Sequence, residues 1–216
     1  EANVSGSSVQ WTLQKVGGSS VAPPMEVFAV QSFSVSEPNY NAAVMRICYA
    51  HGLSALPDRM TMAEAAAVTA AQISAGMTTI FSPHAEAEAG NILSFNEFQY
   101  FSGVTSLQGY AFRGTSLNPS QMASIILPSS VTTIGQGAFV ECHALTSLTL
   151  NEGLTSFNGI GNATAAYAPQ NLTALTLPST VNTLTINAMR NAKLVTLTCL
   201  ATTPPTATTA YCLSPL

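Results

Sequence analysis

The chain has 216 residues, enough to bury a sizeable core in one long domain or two small ones. It is 47% hydrophobic but only 7% charged, against a usual charged share of about 25%, and its net charge is −4. Six Lys and Arg, scattered singly, make no basic stripe, which excludes a nucleic-acid partner and disfavours anionic membrane surfaces. No apolar run approaches the roughly 18–20 residues of a spanning helix.

Residues 1–36 read as a strand-like N-terminal segment, either a small hairpin or a remnant of an upstream region. Val9, Trp11 and Leu13 alternate with Gln10, Thr12 and Gln14, the period of a half-buried strand. The run Gly17-Gly18-Ser19-Ser20 and the pair Pro23-Pro24 interrupt it, and Met25 to Val35 reads as a second strand. Trp11 is expected to pack on neighbouring helices rather than to bind a ligand. Glu1 is not a start methionine, and removal of an N-terminal export signal or trimming of the chain accounts for it.

Residues 37–91 read as a helical cap. Ser36 and Pro38 mark a helix start, and Ala42, Met45, Cys48 and Tyr49 recur at helical spacing. Gly52 and Pro57 end that helix. Thr61 and Glu64 form a T-x-x-E capping box, predicting a second helix through Ala71. Ile73 to Gly90 reads as loop. His84, Glu86 and Glu88 fall together there, but without a second well-spaced ligand set they read as solvated residues, and no metal or cofactor is expected.

Residues 92–216 carry a repeat. An apolar residue, two fillers, an apolar residue, one filler and an apolar residue recur. They run Met122 to Leu127, Leu145 to Leu150, Leu172 to Leu177 and Leu194 to Cys199, with starts 23, 27 and 22 residues apart. A second register runs Val104 to Leu107, Val131 to Ile134, Leu154 to Phe157 and Val181 to Leu184. Small-large pairs follow it at Ala111-Phe112, Ala138-Phe139 and Ala188-Met189. No single copy can bury its own apolar face, so Leu107, Ile134, Phe157 and Leu184 should stack on one another. The longer spacings place insertions at Asn118-Pro119-Ser120 and at Asn162 to Gln170. An L-x-x-L-x-L unit at this period is the leucine-rich-repeat signature. The fold class expected is an α+β repeat: a leucine-rich-repeat solenoid of short parallel strands, capped by an N-terminal helical segment. Leu148, Leu150, Leu175, Leu177 and Leu197 should form its core in one parallel sheet.

Side chains alternate along a strand, so the residues between the buried leucines point outward. They are Ser124 and Ile126, Ser147 and Thr149, Ala174 and Thr176, and Thr196 and Thr198. This column is small, neutral and rich in hydroxyls, and is the candidate binding face. The plain alternative is a set of solvated residues that merely suit strands. Sugar sites favour aromatic platforms, and the column has none; Tyr110, Tyr167 and Tyr211 lie elsewhere in the repeats.

For catalysis the chain offers no G-x-S-x-G, H-E-x-x-H or P-loop, and His51, His84 and His143 are isolated. Cys142 precedes His143, but a Cys–His nucleophile pair normally comes from distant segments, so no enzyme is expected. Cys48, Cys142, Cys199 and Cys212 match no C-x-x-C motif and are expected to stay out of disulfides. Cys199 takes the place of Leu150 and Leu177 and reads as a buried small hydrophobe. The chain stops just after Ala210-Tyr211 resumes the small-large pair, which reads as a poorly capped or truncated array.

The stretch from Leu127 to Phe139, followed by Cys142 to Leu150, resembles the BspA-like leucine-rich repeats of bacterial cell-surface proteins. The segment from Ile92 to Phe112 is similar to the lead-in to such arrays. The resemblance implies a surface or secreted protein of gut or oral bacteria, adhering to host matrix or cell-surface proteins. In some relatives a helix pair before the array carries an EF-hand-like acidic loop. With Glu64 as the last ligand, Leu53, Ala55 and Pro57 stand where oxygens are needed, and Asp58 replaces the turn glycine, so the pair here is degenerate. The function expected is a non-enzymatic interaction module with a protein partner. A glycan-binding component and a structural spacer in a larger surface protein are the alternatives.

Overall fold

The computed structural model describes residues 3–5, 8–10, 26–29, 42–162 and 164–208. Trp11, the proposed helix start at Ser36 and Pro38, Tyr211 and Cys212 lie outside them.

The N-terminal strands β1 (Asn3–Ser5) and β2 (Ser8–Gln10) pair antiparallel. β3 (Glu26–Ala29) pairs antiparallel with a strand beyond the first helix. Helix α1 (Ala42–Ala50) buries Ala43, Val44, Met45, Ile47 and Cys48, and ends at Gly52, whose φ of 67° suits a residue without a Cβ. Tyr49, expected in the apolar stripe, is 49% exposed: Ile47 takes the core position and Tyr49 falls on the outer side. The partner of β3 is β4 (Arg59–Thr61).

Helix α2 (Met62–Ala67) starts at the expected capping box. The Thr61 hydroxyl accepts from the Glu64 N–H, and Glu64 Oε2 accepts from the Thr61 N–H at 2.7 Å. The helix does not run on to Ala71. It stops at Val68, which is extended and buried, and a second box opens α3 (Ala70–Ile73), with Gln72 answering Thr69. T-x-x-Q carries the same chemistry as T-x-x-E, and here it restarts the helix in a new direction. Gly103 passes so close to the break that a Cβ there would lie 2.4 Å from the Val68 carbonyl oxygen.

The stretch from Ile73 to Gly90 is not simply loop. It forms the hairpin of β5 (Ser74–Ala75) and β6 (Thr78–Thr79), then a 3₁₀ turn at Ala87–Asn91. The helix pair compared above with a degenerate EF hand is α1 and α2. The segment before Glu64 is strand β4, and the Glu64 carboxylate is taken up by the N–H groups of Ala55 and Thr61.

From Ile92 two kinds of strand alternate. They are β7 (Ser94–Phe95), β8 (Ser106–Leu107), β9 (Ser124–Ile126), β10 (Thr133–Ile134), β11 (Ser147–Thr149), β12 (Ser156–Phe157), β13 (Ala174–Leu177), β14 (Thr183–Leu184), β15 (Thr196–Cys199) and β16 (Thr206–Ala207). The even-numbered strands form one unbroken parallel ladder in the order β16-β14-β12-β10-β8. β8, β10, β12 and β14 each carry one inward residue, and Leu107, Ile134, Phe157 and Leu184 are all buried, while both residues of β16 are exposed. The odd-numbered strands were expected in a single sheet. They form two, β11-β9-β7 and β13-β15. The path to β13 is lengthened by the segment 158–171, which bonds forward to the Ala188 and Arg190 carbonyls and back to the corner of the preceding rung. The Tyr167 carbonyl accepts from the Glu141 N–H at 2.7 Å, and Asn171 Nδ2 donates to the His143 carbonyl at 2.7 Å. β13 therefore lies against β11 without ladder bonds.

One apolar core runs through cap and repeats. Phe81, Phe95, Phe98 and Phe101 close the end of the first rung as a cluster of aromatic contacts with centroids 4.8–6.4 Å apart. Of the strand leucines, Leu148, Leu175 and Leu177 are buried, while Leu150 and Leu197 are half-buried. Cys199 is exposed, contrary to its place in the repeat pattern, because β15 carries no further odd-numbered strand on its outer side among the described residues.

The abundance of Ser and Thr has a structural use. Ser130 Oγ donates to the Val104 carbonyl at 2.7 Å, Thr155 Oγ1 to the Thr132 carbonyl at 3.0 Å and Thr180 Oγ1 to the Leu154 carbonyl at 2.8 Å. Thr132 and Thr146 do the same one rung back, to Thr105 and Ala123. Each bond joins a side chain of one rung to the backbone of the previous one. A nearly charge-free chain thus joins its rungs largely through neutral hydrogen bonds, with the Glu141 and Glu152 carboxylates adding charged links.

Candidate functional site

The eight candidate residues all sit on the odd-numbered strands. Pairing puts Ser94, Ser124 and Ser147 in one register column, and Ile126 opposite Thr149. Beyond the break, Ala174 pairs with Thr196 and Thr176 with Thr198. Ser147, Thr149, Ala174, Thr176, Thr196 and Thr198 are exposed. Ser124 and Ile126 are half-buried, because the 3₁₀ turn at Asn96–Tyr100 packs beside β9. The two groups belong to separate sheets, so the face is two patches rather than one continuous column.

Ser94 extends the first patch, with its Oγ 2.9 Å from that of Ser124. The sequence signal for it was present: Ile92 and Phe95 repeat the spacing of Met122 and Ile125. No charged side chain lies among these outward positions. Such a surface offers hydroxyl donors and acceptors with methyl groups between them, and no field to steer an ion.

Other candidate groups serve the fold. Tyr110 is half-buried, with the Arg113 guanidinium 5.5 Å from its ring centroid. Arg113 Nε also bonds Glu141 Oε2 at 3.0 Å. Tyr167 is 42% exposed on the inserted segment. Arg46 pairs with Glu88, and His51 Nε2 lies 2.9 Å from Glu86 Oε1, so both carboxylates tie the loop to α1. His84 is exposed. Among the described residues no three His, Cys, Asp or Glu side chains gather as a metal site.

Cys142 is fully buried beside Glu141, and burial pushes its thiol up to about 12 against a weaker opposing hydrogen bond from Ser120. It is a protonated donor to the Phe112 carbonyl, 3.1 Å away, not an activated nucleophile. Burial likewise pushes Cys48 up to about 12.

Among the described residues, no helix is long and apolar enough to cross a membrane. No curated protein matches the chain. Among solved structures, a leucine rich cell surface protein from Faecalibacterium prausnitzii is similar at 25% identity and a TM-score of 0.28, over 46% of this chain and 30% of that one. The leucine rich repeat protein of T. pallidum is similar at 16% identity and a TM-score of 0.30, over 53% of this chain and 65% of that one. This chain thus spans less than two thirds of either. The BspA type leucine rich repeat region matches residues 89–212 in six copies, more than half of the chain. With its parallel-strand solenoid, the chain belongs to the BspA-type leucine-rich-repeat family.

Proposed function

We propose that the chain is a non-enzymatic interaction module, displayed at a cell surface or secreted, that adheres to a matrix or cell-surface protein. The observation that carries this reading is the outward face of β11, β13 and β15. Ser147, Thr149, Ala174, Thr176, Thr196 and Thr198 are exposed there and free of charge. Paired parallel strands stand about 4.8 Å apart, so on β13 and β15 a partner touches two copies of the same chemistry at once, with Ser147 and Thr149 of β11 as a second patch. Affinity is modest, because Ser and Thr rarely dominate an interface and the face has no Trp or Arg. Binding depends little on salt, since no charge pairs form.

The test is the double variant Thr149→Lys with Thr176→Lys. Both side chains face water, so the fold survives. Adhesion to immobilised matrix or host-cell surface protein should be abolished. A folded double variant that adheres unchanged overturns this face.

A further inference from the structure

β8 is the edge strand of the even-numbered ladder, and its outer edge faces the cap. On the inner edge, the Thr105 and Leu107 carbonyls accept from Thr132 and Gly135. Alternation turns the N–H and C=O of Ser106, and the N–H of Gln108, the other way. On later rungs several of the equivalent N–H groups reach a preceding strand. The Ser156 N–H donates to the Thr132 carbonyl, the Thr183 N–H to Thr155, and the Gly135 and Thr185 N–H groups to Leu107 and Phe157. On β8 there is no preceding rung, and among the described residues these backbone groups have no backbone partner.

Beside that edge is a cleft of about 400 Å³ whose lining includes Ala71 and Ile73 on the cap and Ser106, Leu107 and Gln108 on β8 and its flank, and which reaches over to Thr133 on β10. Its walls are fixed. Gln108 bonds the Thr78 carbonyl and takes the Ser74 hydroxyl at 3.3 Å, and the Thr79 N–H and hydroxyl both hold the Ala111 carbonyl. At Ala70 and Ala71, α3 presents only methyl groups to the cleft, where larger side chains would fill the space. Spacings of about 4.8 Å between strands, 10 Å between layers and 3.3 Å along a strand give each strand residue a cell of roughly 160 Å³. The cleft thus holds about two to three residues of extended chain, the length of a ladder strand here.

We infer that this cleft takes an extended, uncharged peptide segment of a partner protein as an additional strand on β8. A row of donor, acceptor and donor at strand spacing matches a peptide backbone, the logic of recognition by strand addition. The lining carries no charge, so the segment is neutral. Leu107 and Ile73 give its apolar side chain a floor, and Ser106 and Thr133 put hydroxyls at the rim. The preferred pattern is that of the chain's own rungs, apolar–hydroxyl–hydroxyl–apolar. This site is separate from the strand face of the proposed function and stands or falls independently of it.

The experiment titrates the ¹⁵N-labelled chain with a synthetic peptide copying residues 129–137, which hold the rung Val131-Thr132-Thr133-Ile134. The amides of Ser106 and Gln108 should shift saturably and exchange about tenfold more slowly. A scrambled peptide should leave them unmoved. Ala71→Trp, from an exposed position on the cleft wall, should abolish the shifts while circular dichroism stays unchanged. Ala71→Leu serves if the larger ring unfolds the cap. The Thr149→Lys, Thr176→Lys variant should bind the peptide normally. Unmoved Ser106 and Gln108 amides, or shifts that persist in the folded Ala71 variants, overturn the inference. So does movement of the same amides with protein concentration alone, which would make the occupant a second copy of the chain.

Discussion

The ring of Phe112 lies flat on that of Phe139, centroids 5.3 Å apart and planes 16° from parallel. The two residues hold the same place in successive repeats, and the Phe112 N–H donates to the Ala138 carbonyl at 2.7 Å. Phe139 is fully buried between its neighbours. Phe139→Ala should cost about 3–5 kcal/mol, and Leu175→Ala, on β13, about 2–5 kcal/mol. Urea denaturation measures both; a loss under about 1 kcal/mol at either would contradict stacking as the source of stability.

Thr155→Val removes one link between rungs with little change in shape. Its hydroxyl donates to the Thr132 carbonyl, which also accepts from the Thr155 N–H at 2.8 Å. The Thr132 carbonyl, on an exposed residue, keeps its backbone bonds and loses only a side-chain partner. The expected cost is about 0.5–1.5 kcal/mol, seen as a lower denaturation midpoint at unchanged slope.

Glu64 links stability to pH. Burial alone would raise its carboxyl, but the N–H groups of Thr61 and Ala55 and the Thr61 hydroxyl outweigh that and hold it below the ordinary 4.5. A group lowered on folding contributes stability above its unfolded value and loses it as pH falls through the folded one. The amides of Ala55 and Thr61 should therefore lose protection as pH drops below about 4.5. Glu64→Gln should remove that dependence. Protection in the native chain that stays constant to low pH would show that the carboxylate is not the anchor.

The same bonds leave Glu64 unavailable as a calcium ligand, and a calcium site needs several more oxygens at about 2.3–2.6 Å. Melting midpoints with and without millimolar calcium should coincide. A saturable rise would show that other oxygens had been recruited.

The thiols should separate by reactivity. Cys199 is exposed, whereas Cys48 and Cys142 are buried and pushed up to about 12. Iodoacetamide at neutral pH should label Cys199 in the native chain, and Cys48 and Cys142 only after denaturant is added. Peptide mapping by mass spectrometry reads the outcome, and rapid native labelling of Cys142 would refute the packing around Phe112.

The repeat was legible because stacking writes one period into many copies. Leu107, Ile134, Phe157 and Leu184 could be aligned by eye and are buried together. The break at Val68 was also written in the chain, as the Thr69 and Gln72 box, but the helix-forming alanines before it masked the signal. The split between β11 and β13 was not legible. It depends on where the segment 158–171 places its hydrogen bonds, which no periodicity records. Cys199 shows the same limit. Pattern gives the direction of a side chain, but burial also requires a neighbouring rung. The outward residues could be named, yet the half-burial of Ser124 and Ile126 came from a 3₁₀ turn on another repeat.

The hydroxyls that reach back one rung bear on how such a chain can change length over generations. Ser130, Thr132, Thr155 and Thr180 each bring the donor for a carbonyl that every rung already exposes. A stretch of coding sequence duplicated in frame therefore carries its own attachment, and no compensating substitution is needed on the copy it joins. A charged pair between rungs, such as Arg113 with Glu141, instead requires matched changes on both sides. Neutral, self-contained linkage makes unequal recombination between repeats a tolerated event, so related chains can differ in repeat number while each junction keeps the same chemistry.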